Sequence, residues 1–305
     1  MAIKGEIMLG FRINQTATTA TKAVKAAAQP KGGYISPNLM KCTDYRDESY
    51  RNSIIGRMWK ESVSPATVGV TVDYLTRFVL EKKITYADRD EQPYMDCFRI
   101  CSHGIRTGKE YNLGKEQFSD LACLVDTELS DCAINSMCKL TAYDAMYRSG
   151  YYVNPDDINA DDFTCGQIRA MVNTATEMLT DGISDSELKN RICFGPTFEG
   201  GMPKNIRAAD ADYICDNTLV DMKVSKTEKP DKTQTLQLAV YYIMGKHAVV
   251  GDGFPPIHNL YKSWFEDMDS IAIINPRSGM KWTLDMSEVS DETIIAIENE
   301  VMGGY

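Results

Sequence analysis

Apolar residues recur at helical spacing through much of the first half of the chain. This spacing in residues 64–82, 118–129 and 132–148 predicts three helices, and Gly150 is placed to end the third. Residues 1–150 are therefore expected to form a mostly helical N-terminal region.

The spacing changes from helical to alternating after a further amphipathic helix, which is predicted at residues 161–180. Short strands are predicted at residues 191–198, 211–214, 218–224, 271–274 and 281–284. Asp216 and Asn217 separate the second and third of these strands, and such residues favour a tight turn. The two strands are therefore expected to form a hairpin.

Two more helices interleave with these strands. One is predicted at residues 233–244, with Gly245 as its end, and the other at residues 291–302. This order of elements indicates an α/β protein with a mixed β-sheet core in residues 151–305, on which the helical residues 1–150 pack.

Composition narrows the class of protein. The 305 residues include 33 basic and 43 acidic side chains, a formal net charge of -10. This excludes a protein that binds nucleic acid by overall positive charge, although a local basic patch stays possible. No run of 18 apolar residues and no secretory signal is present, so we expect a soluble, cytoplasmic protein with no membrane partner. The nine cysteines form no CxxC pair, and a disulfide framework is not expected.

The most informative chemistry lies on the predicted strand at residues 218–224. Alternation places Asp221 and Lys223 on one face of this strand, opposite Met222. The hairpin brings a second carboxylate, Asp212, close to Asp221. Two converging carboxylates repel unless a hard cation such as Mg²⁺ neutralises them. Beside such an ion, Lys223 would orient or help to deprotonate an attacking water and offset charge on phosphate oxygens.

These residues belong to a set in a fixed order along the chain: Asp212, the tripeptide Asp221-Met222-Lys223, Gln237 and Tyr241. The set resembles the PD-(D/E)xK nuclease superfamily, and within it the RecB-like and Cas4-like branch. The resemblance covers residues 190–245, about a fifth of the chain.

The resemblance implies a restriction-endonuclease-like mixed β-sheet core flanked by helices. It also implies a nuclease that hydrolyses phosphodiester bonds, in DNA, with Mg²⁺ as cofactor and Mn²⁺ as a possible substitute. The metal ligands would be Asp212, Asp221 and the backbone carbonyl of Met222, and Lys223 would be catalytic.

Four further residues follow from the same resemblance. Gln237 and Tyr241 lie four residues apart on one helix face, so both would reach the site edge or the substrate backbone and complete the catalytic set. The RecB-like branch also carries an upstream His or Glu. Glu177 and Glu199 are weaker candidates for this metal ligand, since each also fits a solvated surface acid.

The sequence departs from the superfamily pattern at several positions. Ala211 replaces the proline that names the superfamily, and the acid before the lysine is Asp rather than Glu. Asp210 shares a strand face with Asp212, so either can be the first acid, and the apolar neighbours of Asp212 favour it. No cysteine follows Cys215, so the iron–sulfur cluster of Cas4-like relatives is not expected.

A lysine-rich loop follows the candidate strand. Lys226, Lys229 and Lys232 predict contacts with DNA phosphates, although the same residues fit an ordinary solvated loop. Nucleic acid, with DNA first, is the expected partner, and a protein partner or a homo-oligomer stays open.

Two other interpretations of the sequence remain. The first is a catalytically silent module of the nuclease fold that binds nucleic acid or a protein. The second is a helical interaction protein with an incidental motif. The sequence does not distinguish endonuclease from exonuclease action, or single-stranded from double-stranded substrates.

Overall fold

A six-stranded β-sheet with helices packed on both faces organises the protein, in a computed structural model that describes residues 18–46, 61–87, 115–150, 153–251 and 259–305. The strands are β1 (Thr18–Thr19), β2 (Lys41–Asp44), β3 (Ile192–Phe194), β4 (Ile206–Ala208), β5 (Tyr213–Cys215), β6 (Thr218–Met222), β7 (Ser270–Asn275) and β8 (Met280–Asp285). The helices are α1 (Ala20–Ala26), α2 (Pro65–Ala87), α3 (Lys115–Cys123), α4 (Asp131–Ser149), α5 (Asp162–Thr180), α6 (Leu188–Arg191), α7 (Lys232–Val250), α8 (Lys262–Glu266) and α9 (Asp291–Glu300).

The sheet is mixed but mostly antiparallel. Its strands lie in the order β2, β8, β7, β6, β5, β3, and β1 pairs separately with β4. Within the six-stranded sheet, β6 and β7 form the parallel pair, and α7 connects them. The α/β class and the mixed sheet flanked by helices are therefore confirmed.

Alternation along β6 sends its side chains into two separate apolar cores. Val220 and Met222 pack into a core with residues of α2, α4 and α5. Leu219 packs into a second core, with residues of α7, on the opposite face of the sheet. Asp221 and Lys223 alternate with Val220 and Met222, so they point to the α7 face.

Residues from both sides of position 150 build the same sheet and the same core. Strand β2 pairs antiparallel with β8 at the sheet edge. Helices α2 and α4 pack with α5, and their apolar side chains join those of β5, β6 and β7 in one cluster. The N-terminal region is thus attached through a strand as well as through helices.

The predicted hairpin is confirmed between β5 and β6, with Asp216 and Asn217 at its turn. Asp216 has a φ of 52°, a left-handed conformation that Asp tolerates better than most residues. The guanidinium of Arg191 donates to both carboxylate oxygens of Asp216, at 2.6 and 2.9 Å. Asp212 lies in the chain just before β5. The hairpin therefore holds Asp212 beside the carboxyl end of β6.

Gly245 does not end a helix, contrary to the prediction. Helix α7 continues to Val250 and ends at Gly251, which has a φ of 76° and caps the helix. A Cβ atom at position 245 would lie 2.8 Å from Phe265 Cδ1 and 2.8 Å from Met268 Cε. The glycine therefore allows α8 to approach the middle of α7, and its role is packing rather than termination.

Two other predicted segments are shorter than expected. The helix predicted at residues 118–129 is α3, which ends at Cys123 before a turn in which Leu129 has a positive φ of 54°. The strand predicted at residues 191–198 is reduced to the three residues of β3, because α6 extends to Arg191. Within the described residues, no helix is long and apolar enough to cross a membrane.

Candidate active site

Asp221 and Lys223 lie together at the carboxyl end of β6. The Nζ atom of Lys223 is 2.6 Å from Oδ2 of Asp221, whose side chain is only 6% exposed. The backbone N–H of Lys223 donates to the carbonyl of Ile274 on β7 at 2.9 Å, which keeps this residue in line with the strand. The structure therefore brings the second acid and the lysine of the motif into direct contact.

Asp212 reaches the same position from the chain before β5. Its Oδ2 atom accepts a hydrogen bond from the backbone N–H of Met222 at 2.8 Å. Burial, and next the charge of Asp221, raise the pKa of Asp212 to about 6, although Arg77, Lys223 and the Met222 amide act in the opposite direction. The two carboxylates therefore share one environment and repel each other there.

The alternative first acid, Asp210, is more exposed than Asp212. It forms an isolated antiparallel bridge with Thr197, and its charge raises the pKa of Tyr241. The hydrogen bond to the end of β6 is made by Asp212, which lies between the buried Ala211 and Tyr213. Asp212 is thus the acid that lies against β6, the strand that carries Asp221. Asp210 lies beside Asp212, on the side of α7.

Lys223 is held as a cation. Burial by itself lowers the pKa of Lys223, but the nearby carboxylates of Asp221 and Asp212 outweigh that effect and raise it. A lysine with a raised pKa stays protonated at neutral pH, so it offers positive charge and N–H donors rather than a base.

Gln237 and Tyr241 lie one turn apart on α7, and Tyr241 is close enough to Asp221 and Asp210 for their charges to act on it. Nε2 of Gln237 donates to the Tyr241 hydroxyl at 2.9 Å and lies 3.4 Å from Oγ1 of Thr21 on α1. Burial raises the pKa of Tyr241 to about 12, and the charges of Asp221 and Asp210 add to this effect. Gln237 and Tyr241, the pair that helical spacing predicts, therefore border the carboxylate site. Thr21 of α1 lies next to Gln237.

Arg77 of α2 is a site residue that the sequence analysis missed. Its Nη2 atom lies 3.4 Å from Oδ1 of Asp212 and 3.1 Å from Oδ2 of Asp73. The available signal was an Asp and an Arg four residues apart on a helix whose neighbouring positions, such as Val72 and Leu75, are apolar. Charged residues among buried positions are paired, but the sequence does not show that the pairing extends to Asp212.

The two weaker metal-ligand candidates, Glu177 and Glu199, interact with other residues. Glu177 is exposed on α5. The pKa of Tyr45 is raised by burial and by the hydrogen bond to Asp181, and the nearby charge of Glu177 adds to this effect. Tyr45 follows β2, which is three strands away from β6, so the structure does not bring Glu177 to the carboxylates. Glu199 lies in the loop before β4, where its carbonyl accepts from Asn259 at 3.0 Å.

The carboxylates of Asp212 and Asp221 form only a small acidic group. Among the described residues, no group of three or more His, Cys, Asp or Glu side chains is arranged to hold a metal ion. The two carboxylates of the motif, Asp212 and Asp221, lie at the end of β6 together with the Met222 carbonyl.

The lysine-rich loop after β6 is anchored to the rest of the protein. The side-chain amide of Asn275 donates to the carbonyls of Ser225 and Thr227 at 2.9 and 3.0 Å. The indole N–H of Trp282 donates to the carbonyl of Glu228 at 2.9 Å. Lys229 donates to the Asn38 side chain and lies 5.9 Å above the Trp282 ring.

All three loop lysines are exposed on the surface. Lys226 lies closest in sequence to the candidate site, and Lys232 opens α7. The anchored loop therefore exposes Lys226, Lys229 and Lys232 along a path that leaves the end of β6, passes Asn38 and Trp282 of β8, and ends at the start of α7.

Asp212→Asn is expected to stabilise the protein in EDTA at pH 8, by on the order of 1 kcal/mol, because it removes a carboxylate that is buried and repelled by Asp221. The folded pKa of Asp212 lies above its ordinary value of 3.8. The folded state therefore binds this proton more tightly, and stability declines as pH rises from about 4 to above 6. The free energy of unfolding of Asp212→Asn should therefore exceed that of the parent protein by less at pH 5 than at pH 8.

Urea unfolding in EDTA at both pH values measures this difference. Asp269→Asn serves as the matched control, since Asp269 is exposed and its backbone N–H bonds to Asn217 at the opposite end of β6. An Asp212→Asn variant that is equally destabilised at pH 5 and pH 8 would contradict a raised pKa of Asp212 in the folded protein.

As a whole, the chain matches no protein-family model, no curated protein and no solved structure. Its function is therefore inferred from the geometry and chemistry of the site.

Proposed function

We propose that the chain is a Mg²⁺-dependent nuclease of the PD-(D/E)xK type that hydrolyses phosphodiester bonds in DNA. One observation carries the proposal: Asp212 and Asp221 share an environment at the end of β6, and Lys223 contacts Asp221 there. The mixed sheet with helices on both faces is compatible with the restriction-endonuclease-like core that this proposal implies.

The available donors fit a hard divalent cation. Mg²⁺ takes oxygen ligands, commonly one or two carboxylates, and keeps further positions for water and substrate phosphate. Asp212, Asp221 and the Met222 carbonyl would hold it. Burial, and next the charge of Asp221, raise the pKa of Asp212, and a cation between the carboxylates would offset the repulsion between them. Mn²⁺, which prefers the same oxygen ligands, would substitute.

The bound ion would lower the pKa of a coordinated water and polarise the phosphate. Lys223, held as a cation by Asp221, would donate to the attacking water or to a phosphate oxygen as negative charge accumulates there. Gln237 and Tyr241 form a hydrogen-bonded pair that would position the substrate backbone beside the carboxylates.

The surrounding surface supports a polyanionic substrate. Lys226, Lys229 and Lys232 are exposed on an anchored loop next to the site, in a chain whose net charge is -10. Phosphate contacts from such a loop would set the position of the strand without reading its sequence.

Cleavage of labelled single-stranded and double-stranded DNA tests the proposal. Cutting is expected with Mg²⁺ or Mn²⁺ and not with EDTA, and the product lengths would distinguish endonuclease from exonuclease action. Lys223→Met should abolish cutting and still permit Mn²⁺ binding, because Lys223 is not a proposed ligand. Lys41→Met, which removes an exposed lysine from the edge strand β2, should cut normally.

A second measurement separates the alternatives. A ligand that binds only the folded state raises the melting temperature. Stabilisation by Mn²⁺ without any cutting would support a catalytically silent module of this fold. If Mn²⁺ does not stabilise the protein and no cutting occurs, the proposed metal site is rejected.

A further inference from the structure

Arg77 is a buried arginine in helix α2, with only 5% of its side chain exposed. Its Nε atom donates to Oδ1 of Asp73 at 3.1 Å, and its Nη2 atom lies 3.1 Å from Oδ2 of the same carboxylate. This two-point contact fixes the plane of the guanidinium group. Asp73 is one turn away on the same helix and already provides the counter-charge that a buried arginine requires.

The same guanidinium also reaches the candidate site. Nη2 of Arg77 lies 3.4 Å from Oδ1 of Asp212, while Oδ2 of Asp212 accepts from the Met222 amide at 2.8 Å. Each carboxylate oxygen of Asp212 therefore faces a donor, one from α2 and one from β6. Two donors on two oxygens determine the orientation of the carboxylate plane.

Tyr213 supports this arrangement from behind. Its hydroxyl donates to Oδ1 of Asp73 at 2.6 Å, and its ring lies 5.2 Å below the guanidinium carbon of Arg77. Tyr213 is fully buried and follows Asp212 directly in the chain. Tyr213 and the Asp212 carboxylate that it helps to support are therefore adjacent in the chain, which limits their relative movement.

The charges next to the two proposed ligands also suit a divalent cation. Arg77 lies against Asp212 and Lys223 lies against Asp221, so each carboxylate has a cation beside it. Positive charge at these positions would strengthen the attraction of the loaded site for a phosphodiester anion, and Arg77 contributes to that charge.

We propose that Arg77 is a positioning residue, which orients the Asp212 carboxylate for a divalent metal ion with Asp73 and Tyr213 as its support. The inference rests on the proposed function, since it requires Asp212 to be a metal ligand. Groups that orient metal ligands typically change metal affinity by 10- to 100-fold when they are replaced.

Arg77→Lys provides the sharpest test, because it keeps the positive charge and loses the planar two-point contact. Mn²⁺ titration by calorimetry, without DNA, should show about tenfold weaker binding than in the parent protein. At saturating Mn²⁺, kcat for DNA cleavage should fall while KM for DNA changes less than about twofold, since a buried arginine does not contact the substrate. The matched control, Arg191→Lys, alters a similar two-point contact with Asp216 and should bind Mn²⁺ normally.

Tyr213→Phe is the second variant, in case Arg77→Lys does not fold. It retains the buried ring and removes the hydroxyl that holds Asp73, and Mn²⁺ binding should weaken about fivefold, the value of one hydrogen bond. Folded Arg77→Lys or Tyr213→Phe with Mn²⁺ affinity within twofold of the parent would overturn the inference, as would an effect confined to KM. A parent protein that neither binds Mn²⁺ nor cuts DNA would instead reject the proposed function itself.

Discussion

Asp221→Asn is expected to lower metal-dependent DNA cleavage by about a thousandfold or more, equivalent to about 4 kcal/mol of transition-state stabilisation. The substitution removes one of two carboxylates that would hold the ion. It also removes the partner of Lys223, which lies 2.6 Å from Asp221 Oδ2. The site would thus lose a metal ligand and the group that fixes its catalytic cation.

The fold should survive this substitution, because the asparagine has nearly the same size and the strand pairing of β6 involves backbone groups. Far-UV circular dichroism checks that point. Mn²⁺ should raise the melting temperature of the parent protein and of Asp269→Asn, but not of Asp221→Asn. If Asp221→Asn cuts DNA as rapidly as the parent, the cleavage does not arise from this site.

The strand carrying the site was predictable because alternation is a local property. Asp221 and Lys223 must share a face of any strand that contains both, and two apolar cores on opposite faces of β6 confirm the strand. The hairpin was equally predictable, since Asp216 and Asn217 are the residues that such a turn requires. These features depend on neighbours within about ten positions.

Contacts between distant segments were not predictable in the same way. Strand β2 has the sequence Lys-Cys-Thr-Asp, with all four residues exposed, so it shows no apolar alternation. It forms through backbone pairing with β8, more than 230 positions later in the chain. The contact between Arg77 and Asp212 spans 135 positions and depends on how α2 packs over the sheet.

Glycine gave one correct and one wrong helix end when read from sequence alone: Gly150 caps α4 in a left-handed conformation, as predicted, but Gly245 lies within α7. Gly245 was interpreted as a helix end because glycine often follows helices, whereas here it allows a second helix to approach. Both roles place glycine near apolar residues of a helix. They are distinguished by the backbone conformation and by neighbours from other segments, which the local sequence does not contain.

Gly201→Ala is expected to lower the free energy of unfolding by about 3 kcal/mol. A Cβ atom at this position would lie 2.0 Å from the carbonyl oxygen of Met244 and 2.6 Å from the amide nitrogen of Ala248. Both atoms belong to the backbone of α7, which cannot rotate away as a flexible side chain does. The loop that contains Gly201 would therefore have to move.

That movement would reach the candidate site. The loop holds the segment before β5, since Gly195 donates to the Asp212 carbonyl and Ala211 donates to the Pro196 carbonyl, each at 3.0 Å. The folded fraction of Gly201→Ala should consequently bind Mn²⁺ more weakly than the parent.

Urea unfolding and Mn²⁺ titration measure the two effects. Gly69→Ala is the matched control, because its Cβ would lie 4.0 Å from the Val224 side chain and alanine favours the interior of α2. Gly69→Ala should leave stability unchanged or raise it. If Gly201→Ala were as stable as the parent, the loop would not be fixed against α7, and the support for Asp212 would have to come from Arg77 and Met222 alone.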